Sequence, residues 1–524
     1  MQQTVWPTRI TQALLDELKK EIPLIAGEER KQTAIDAPVS GEIIGHIPAC
    51  SIADLDLAFS LARAAQKKWV TTPLSERRRI FLRYHDLVLD KQELLLDLLQ
   101  LETGKARRHA LEEVLDVAIV CRYYALRLEK YLKPKRRRGA LPILTKSMEY
   151  HHPVGVVGII SPWNYPLSLA VSDAVAALMA GNAVILKPDS KTPFTALLAV
   201  KLMVQAGMPS DLFRVVTGFG YELGGALISN SDFICFTGST ATGRVVAAQT
   251  GQALIKCSLE LGGKNPVLVL DDADVERTVD ALVRGCFSNA GQLCISFERV
   301  YLQSGVYDQF LASFTERVKG LKLGYSYDYL PEIGSLISAS QLSTVQEHLQ
   351  DALDKGATVL TGGKHRPDIG PYFFEPTLLT GVTEEMTIYR EETFGPLVSV
   401  YRFNRIEEAL ELANNSEYGL NAAVFTRSNT TGEAVAQQIQ CGTVNVNEAY
   451  AAAWASVDAP MGGMKGSGLS RRHGSEGIMK YTESQNVATQ RLLPIGPLPG
   501  MAVASYARIM IIALRLLRWI PGLG

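Results

Sequence analysis

The chain has 524 residues, 47% of them hydrophobic, and 53 Lys and Arg against 54 Asp and Glu leave a formal net charge of -1. That length and apolar content bury a large core without disulfides or metals and suggest about three domains or lobes. The charge balance argues against a dedicated nucleic-acid binder, and the composition argues against a disordered chain.

The seven cysteines (Cys50, Cys121, Cys235, Cys257, Cys286, Cys294 and Cys441) are odd in number and scattered. No C-x-x-C pair occurs, so a reducing compartment is expected, with neither a disulfide framework nor a zinc site. The eight histidines include no H-E-x-x-H, and no protein metal site is expected. Met1 to Lys20 reads as polar and helix-like. It lacks a basic region followed by an apolar core, so no signal peptide is read and cytoplasmic residence is expected.

Residues 52–70 and 75–103 read as helices, with Leu87, Val88, Leu94, Leu95, Leu98 and Leu99 at helical spacing. The basic run Lys133 to Arg138, closed by Gly139, breaks the pattern and reads as a solvated loop or exposed arm. From residue 153 apolar strands alternate with helices. The strands are Val154–Ser161, Ala183–Leu186, Leu212–Val216, Phe233–Phe236 and Lys256–Leu259. A second alternating stretch contains Asn265–Leu270, Glu298–Leu302, Leu397–Tyr401 and Thr443–Val446. Buried strands with crossover helices give a parallel, doubly wound α/β sheet, which holds ligands at the carboxyl ends of its strands. Two α/β lobes are therefore expected, divided near Leu261-Gly262-Gly263. Residues 501–520 are strongly apolar, with Arg508, Arg515 and Arg518 on one helical face. Three arginines argue against a spanning helix. Two readings stay open: peripheral contact with a membrane surface, or packing on the protein or a neighbouring subunit.

Three residues are candidates to carry the chemistry. Cys294 follows Gly291-Gln292-Leu293, a turn that presents a thiol as a nucleophile. Its plainer reading is a small buried hydrophobe. Glu260 ends an apolar strand before two glycines and is placed to act as general base on a thiol or a water. Alternatively it is a helix cap or salt-bridge partner. Asn164 sits in the rigid turn Ser161-Pro162-Trp163-Asn164-Tyr165-Pro166, where its amide can donate to a developing oxyanion. For a cofactor, Phe236 to Gly243 joins a strand to a helix and offers backbone N–H groups and the Ser239 hydroxyl to a pyrophosphate. Lys187 ends another strand within reach of ribose hydroxyls or a phosphate. Glu392 and Phe394 supply a carboxylate for a ribose and an aromatic ring to flank a flat ring.

Together these segments resemble the aldehyde dehydrogenase superfamily, from about residue 30 to 490. SPWNYP, FTGST, LELGGKNP, GQLC and ETFGP stand in the family's order and spacing. The resemblance implies a Rossmann-like cofactor lobe, an α/β catalytic lobe and a small β oligomerisation arm. It implies an NAD(P)-binding domain at 1–125 and 149–262 and a catalytic domain at 263–455. The arm would be 126–148 and 477–500, matching the basic run, with a C-terminal apolar and basic helix at 501–524. By the resemblance Cys294 is the nucleophile, Glu260 the base and Asn164 the oxyanion donor. Lys187 binds the adenosine ribose, Ser239 the pyrophosphate and Glu392 the nicotinamide ribose. Trp163, Ser190, Gly218 and Phe394 complete the cofactor set. The family forms homodimers and homotetramers, so one of these is expected.

Many NAD-preferring relatives have a Glu three residues after the lysine that matches Lys187. Here that position is Ser190, neutral and able to donate to a 2′-phosphate, so NADP is expected to be preferred, with NAD also used. Within the superfamily the chain is most similar to the bacterial succinate-semialdehyde dehydrogenase (NADP) type 2 group. Succinate semialdehyde is the expected substrate. In well-studied succinate-semialdehyde enzymes two arginines hold the distal carboxylate, and here Ser172 and Ser288 occupy those positions. Ser456 matches a serine that assists. A pocket without a cation favours an apolar substrate, which keeps a medium- or long-chain fatty aldehyde as the alternative. A catalytically idle structural relative is the reading from another class.

Overall fold

The structure, a computed structural model, describes residues 6–139 and 144–519. An outer helical layer opens with Ile52–Trp69, whose Ser51 cap and Asp54 side chain satisfy each other's backbone groups in a capping box. The single helix expected over 75–103 is two, Leu74–Asp90 and Gln92–Thr103, broken at Lys91. The reason lies in the apolar stripe. Ile80, Tyr84 and Val88 are buried at every fourth residue, and continuing that register would bury Lys91 or Gln92. The break re-aims the chain so that Leu95, Leu98 and Leu99 resume burial. A further helix, Arg107–Leu132, follows. It runs on through residue 126, where the arm was expected to begin, to Leu132.

Six strands form the first sheet, in the order Gly468–Leu469, Lys256–Glu260, Phe233–Thr237, Val156–Ile160, Ala183–Lys187 and Phe213–Val215. All neighbours are parallel except Gly468–Leu469, which pairs antiparallel with Lys256–Glu260. The apolar run expected as a strand from Val154 pairs in this sheet only from Val156. Before it, Thr145–Pro153 belongs to another sheet, and Gly155 at φ +132° turns the chain between the two. Helix Ser168–Met179 is almost wholly buried, as its apolar sequence requires.

Seven strands form the second sheet, in the order Thr358–Thr361, Thr377–Thr380, Leu397–Phe403, Phe297–Gln303, Asn265–Val269, Asn421–Phe425 and Thr443–Val446. Only its first pair is antiparallel. The chain changes sheets between Glu260 and Asn265 and returns to the first sheet at Gly468. That crossing places the carboxyl end of Lys256–Glu260 beside both sheets.

A third, antiparallel sheet joins Thr482–Gln490, Thr145–Pro153 and Lys135–Arg137. The basic run, read from its charge alone as a loop or exposed arm, contributes a short edge strand. Beyond it, helix Val503–Leu517 buries none of its residues. Residues 520–524 of the tail helix expected at 501–524 lie outside the described residues.

Candidate active site

Cys294 lies on a loop whose shape is set by three consecutive left-handed residues: Asn289 at φ +52°, Ala290 at +55° and Gly291 at +74°. Such backbone is costly for a side chain, at about 1–3 kcal/mol for each non-glycine residue, and persists only where the surroundings hold it. They do hold it. Asn289 donates through Nδ2 to Asn164 O at 3.0 Å and to Gln292 O at 3.1 Å. The Gln292 amide donates to Asn289 O at 2.9 Å and accepts from Ile337 N at 2.9 Å. Gly291 is required by space as well, since a Cβ there would stand 2.2 Å from Gly395 O. After the thiol, Asn265 Nδ2 donates to the Cys294 and Ser296 carbonyls, each at 2.7 Å.

Asn164 is fixed from the other lobe. Its Nδ2 donates to Gln292 O at 3.1 Å, a bond that uses one of the two amide hydrogens. Its carbonyl accepts from the buried Lys105 ammonium at 2.6 Å. Lys105 also pairs with buried Glu113 and stands 4.0 Å above the Tyr165 ring. Glu113 in turn accepts from Leu167 N and Ser168 N, at the start of helix Ser168–Met179. Sequence reasoning assigned no part to Lys105 or Glu113. A lysine and a glutamate eight residues apart across a helix start give no signal until their partner turn is known.

Glu260 closes its strand, nine-tenths buried, and its Oε1 has no hydrogen-bond partner. Burial pushes its carboxyl up to about 7, against the lowering pull of Arg472 and Lys480. The Cys294 thiol is pushed up to about 12 by burial, with Glu392 adding to the rise and Arg472 opposing it. Two cavities meet at these residues, and Leu169, Thr237, Glu260 and Cys294 line both.

One cavity also holds Trp163, Asn164, Ser239, Glu392 and Phe394, so most of the expected cofactor residues come together there. Trp163 and Phe394 stand edge to face at 5.5 Å. Phe394 is itself left-handed, at φ +53°, and its loop is anchored by Glu298. That buried carboxylate pairs with Lys264 and accepts from Thr393 N and Phe394 N at 3.0 Å. Glu392 accepts from Gly263 N at 2.9 Å, and burial pushes its carboxyl up to about 8. Gly262 permits that approach, because a Cβ there would lie 2.4 Å from a Glu392 oxygen. Ser239 caps helix Thr240–Gln252, accepting from Thr242 N, and the remaining N–H groups of that first turn have no partner within the helix. The cleft thus offers N–H groups for a pyrophosphate, a carboxylate for a ribose and an aromatic pair for a flat ring, which fits a nicotinamide dinucleotide.

Lys187, Ser190 and Gly218 are not on this cavity. Ser190 and Gly218 share a separate small crevice with Thr217. Lys187 ends its strand with Nζ donating to Pro188 O at 3.1 Å, its basicity lowered by burial.

The other cavity is lined by Tyr165, Tyr450, Trp454, Leu169 and Met461, with Glu112, Asp116, Asp173, Arg472 and His473. Ser172, on its wall, donates to Asp116 at 2.6 Å, and fully buried Ser288 bonds Tyr450 at 2.7 Å. Neither brings a cation. Arg472 does, and sequence reasoning missed it. It pairs with Asp173 at 2.5 Å and donates to Thr237 Oγ1 at 2.7 Å, while its buried Nε has no partner. Lys480 also reaches Asp173, at 3.1 Å. Burial would raise the Asp173 carboxyl, but Arg472 and Lys480 overcome it and hold it well below the ordinary range. Two cations thus share one carboxylate. The available signal was the Arg471-Arg472 pair in a glycine-rich stretch, and nothing in its spacing said which of the two turns inward. Among the described residues no group of three His, Cys, Asp or Glu is placed to hold a metal.

The Aldehyde dehydrogenase family matches residues 25–487 of the chain. A Mycolicibacterium smegmatis protein, provisionally named succinate-semialdehyde dehydrogenase [NADP(+)], is 50% identical over 94% of this chain and 96% of its own length. The succinate semialdehyde dehydrogenase of Acinetobacter baylyi is 35% identical over 89% and 97%. Among solved structures, succinate-semialdehyde dehydrogenase from Burkholderia pseudomallei superposes with a TM-score of 0.84 at 33% identity, over 88% of this chain and 95% of that one. Betaine aldehyde dehydrogenase from Staphylococcus aureus, in complex with NAD+, gives 0.84 at 31% identity, over 91% and 97%. The protein described here belongs to the aldehyde dehydrogenase family.

Proposed function

We propose that the protein oxidises succinate semialdehyde to succinate with NADP, NAD also serving. The observation that carries the reaction is the junction of two cavities at Cys294, with Glu260 on both walls and Asn164 tied to the same loop. The Cys294 thiol gives its proton to Glu260 and attacks the aldehyde carbon. The oxyanion of the resulting thiohemiacetal accepts from the second Asn164 amide hydrogen and the Cys294 backbone N–H. A nicotinamide held beside Trp163, Glu392 and Phe394 would supply the hydride acceptor for this adduct, whose loss of hydride leaves a thioester on Cys294. Glu260 first releases the thiol's proton to solvent and then takes a proton from water, whose oxygen attacks the thioester; the acid departs, and Glu260 returns that proton to the Cys294 thiolate.

Glu392, Phe394 and Trp163 hold the nicotinamide half of the cofactor in this reading, Ser239 the pyrophosphate, and Lys187, Ser190 and Gly218 the adenosine half. The names of the relatives support NADP, as does the neutral Ser190. They support the semialdehyde as well, and Arg472 supplies the cation that Ser172 and Ser288 do not. A fatty aldehyde is accordingly not favoured. A second substrate reading rests on one observation: Asp116 and Glu112 stand on a cavity wall rich in aromatic rings, which suits an aldehyde carrying a cation.

The assay is reduced-cofactor formation with succinate semialdehyde, decanal and 4-aminobutanal at equal concentration, with NADP and NAD. The highest kcat/KM for succinate semialdehyde supports the proposal, and the highest for 4-aminobutanal supports the second reading. We assign the first sheet with its helices to cofactor binding, the second to catalysis and the three-stranded sheet to self-association. The last assignment rests on the exposed edge strand Thr482–Gln490, whose free backbone groups can pair with another copy. It yields a homodimer or homotetramer.

A further inference from the structure

Beyond the family's match, which ends at residue 487, the chain continues for 37 residues that the reaction does not use. From Ser484 to Gly524 the sequence contains no acidic residue and has arginines at 491, 508, 515 and 518. Pro494, Gly496, Pro497, Pro499 and Gly500 separate the last strand, which ends at Gln490, from helix Val503–Leu517. None of that helix is buried. Ile509 is 54% exposed, Ile512 55%, Leu514 52%, Leu516 61% and the adjacent Trp519 76%. At 100° per residue Arg508, Arg515 and Arg518 fall within about 80° of the circumference, and apolar side chains fill most of the rest.

A helix of 15 residues is about 22 Å long, short of the ~30 Å hydrocarbon core of a bilayer. Among the described residues no helix is long and apolar enough to cross a membrane. A wide apolar arc beside a narrow basic face, ending in a tryptophan, instead suits a helix lying in the interface plane, with the arginine heads reaching up to lipid phosphates. The exclusively positive charge decides between occupants. A symmetric contact between two such helices would bring arginine faces together with no acidic residue on either segment to offset them. An anionic lipid surface offsets them all.

We propose that Val503–Leu517 is a peripheral anchor that docks the enzyme on an anionic membrane surface. The test is flotation of the full-length enzyme with vesicles of phosphatidylcholine plus phosphatidylglycerol, against phosphatidylcholine alone. At least tenfold stronger partitioning on the anionic vesicles is expected, and it should weaken at high salt. Ile512→Glu with Leu516→Glu should abolish it, and Arg508→Gln with Arg515→Gln and Arg518→Gln should reduce it at least tenfold. Both variants should keep the wild-type kcat/KM for the aldehyde in solution. Absent flotation of the wild type, or equal flotation on neutral vesicles, would overturn the proposal. A smaller particle mass for the Ile512→Glu, Leu516→Glu variant by light scattering would also overturn it, because the helix would then be held by a second copy.

Discussion

The side-chain amide of Asn164 donates to the carbonyl of Gln292 at 3.1 Å, tying the turn that leaves the first sheet to the loop that presents Cys294 two residues later. The proposed oxyanion donor and the proposed nucleophile are thus positioned against each other across the two lobes. Such a donor contributes only if it is held before charge develops, because reorganisation at the moment of reaction would cancel its benefit. Replacing Asn164 by Ala should lower kcat/KM for the aldehyde by roughly 10²–10³-fold, or about 3–4 kcal/mol. Cofactor affinity, read by fluorescence titration, should stay near the wild-type value.

The pH dependence follows from Glu260. Its carboxyl is pushed up to about 7 by burial, so the base form is scarce below that pH and dominant above it. The rate should therefore rise with pH through about 7. In Glu260→Gln that rise should vanish, and steady-state turnover should fall by about 10²–10⁴-fold, the usual contribution of a general base. A pH–rate profile of both proteins checks this. An unchanged profile in the variant would remove Glu260 from the mechanism.

Cofactor choice is tested at Ser190. A carboxylate there repels a 2′-phosphate and accepts from a ribose hydroxyl. Ser190→Glu should lower kcat/KM for NADP by at least about tenfold while sparing or improving NAD. The two cofactors compared at saturating aldehyde give the answer.

Substrate choice is tested at Arg472. Arg472→Gln should raise KM for succinate semialdehyde, with kcat/KM falling about 10–100-fold, and leave decanal much less affected. The same change leaves Asp173 with Lys480 alone, so a loss of about 3 kcal/mol in stability is also expected, visible as a lower Tm. Arg472→Lys should restore part of the affinity. Equal losses for both aldehydes would show a purely structural arginine.

Much of the fold was legible because buried parallel strands are apolar throughout, and Val156–Ile160, Phe233–Thr237 and Asn265–Val269 read that way directly. The break at Lys91 was not, because it depends on which face of the helix meets the core. Of the proposed site, Cys294, Glu260 and Asn164 stood out as candidates through their glycine- and proline-marked turns, and their proposed roles came from the family resemblance. Lys105, Glu113 and Arg472 were not. Each acts through a partner distant in sequence: Asn164, Leu167 and Asp173 respectively. Local pattern carries turns and strands, while buried ion pairs appear only once the chain is folded.

The most direct test of the account is acid-quench mass spectrometry during turnover of succinate semialdehyde with NADP. A succinyl thioester on the peptide that carries Cys294 is predicted, persisting longer in Glu260→Gln than in the wild type. Succinate formation with no adduct on Cys294, or with an adduct on another cysteine instead, would contradict it.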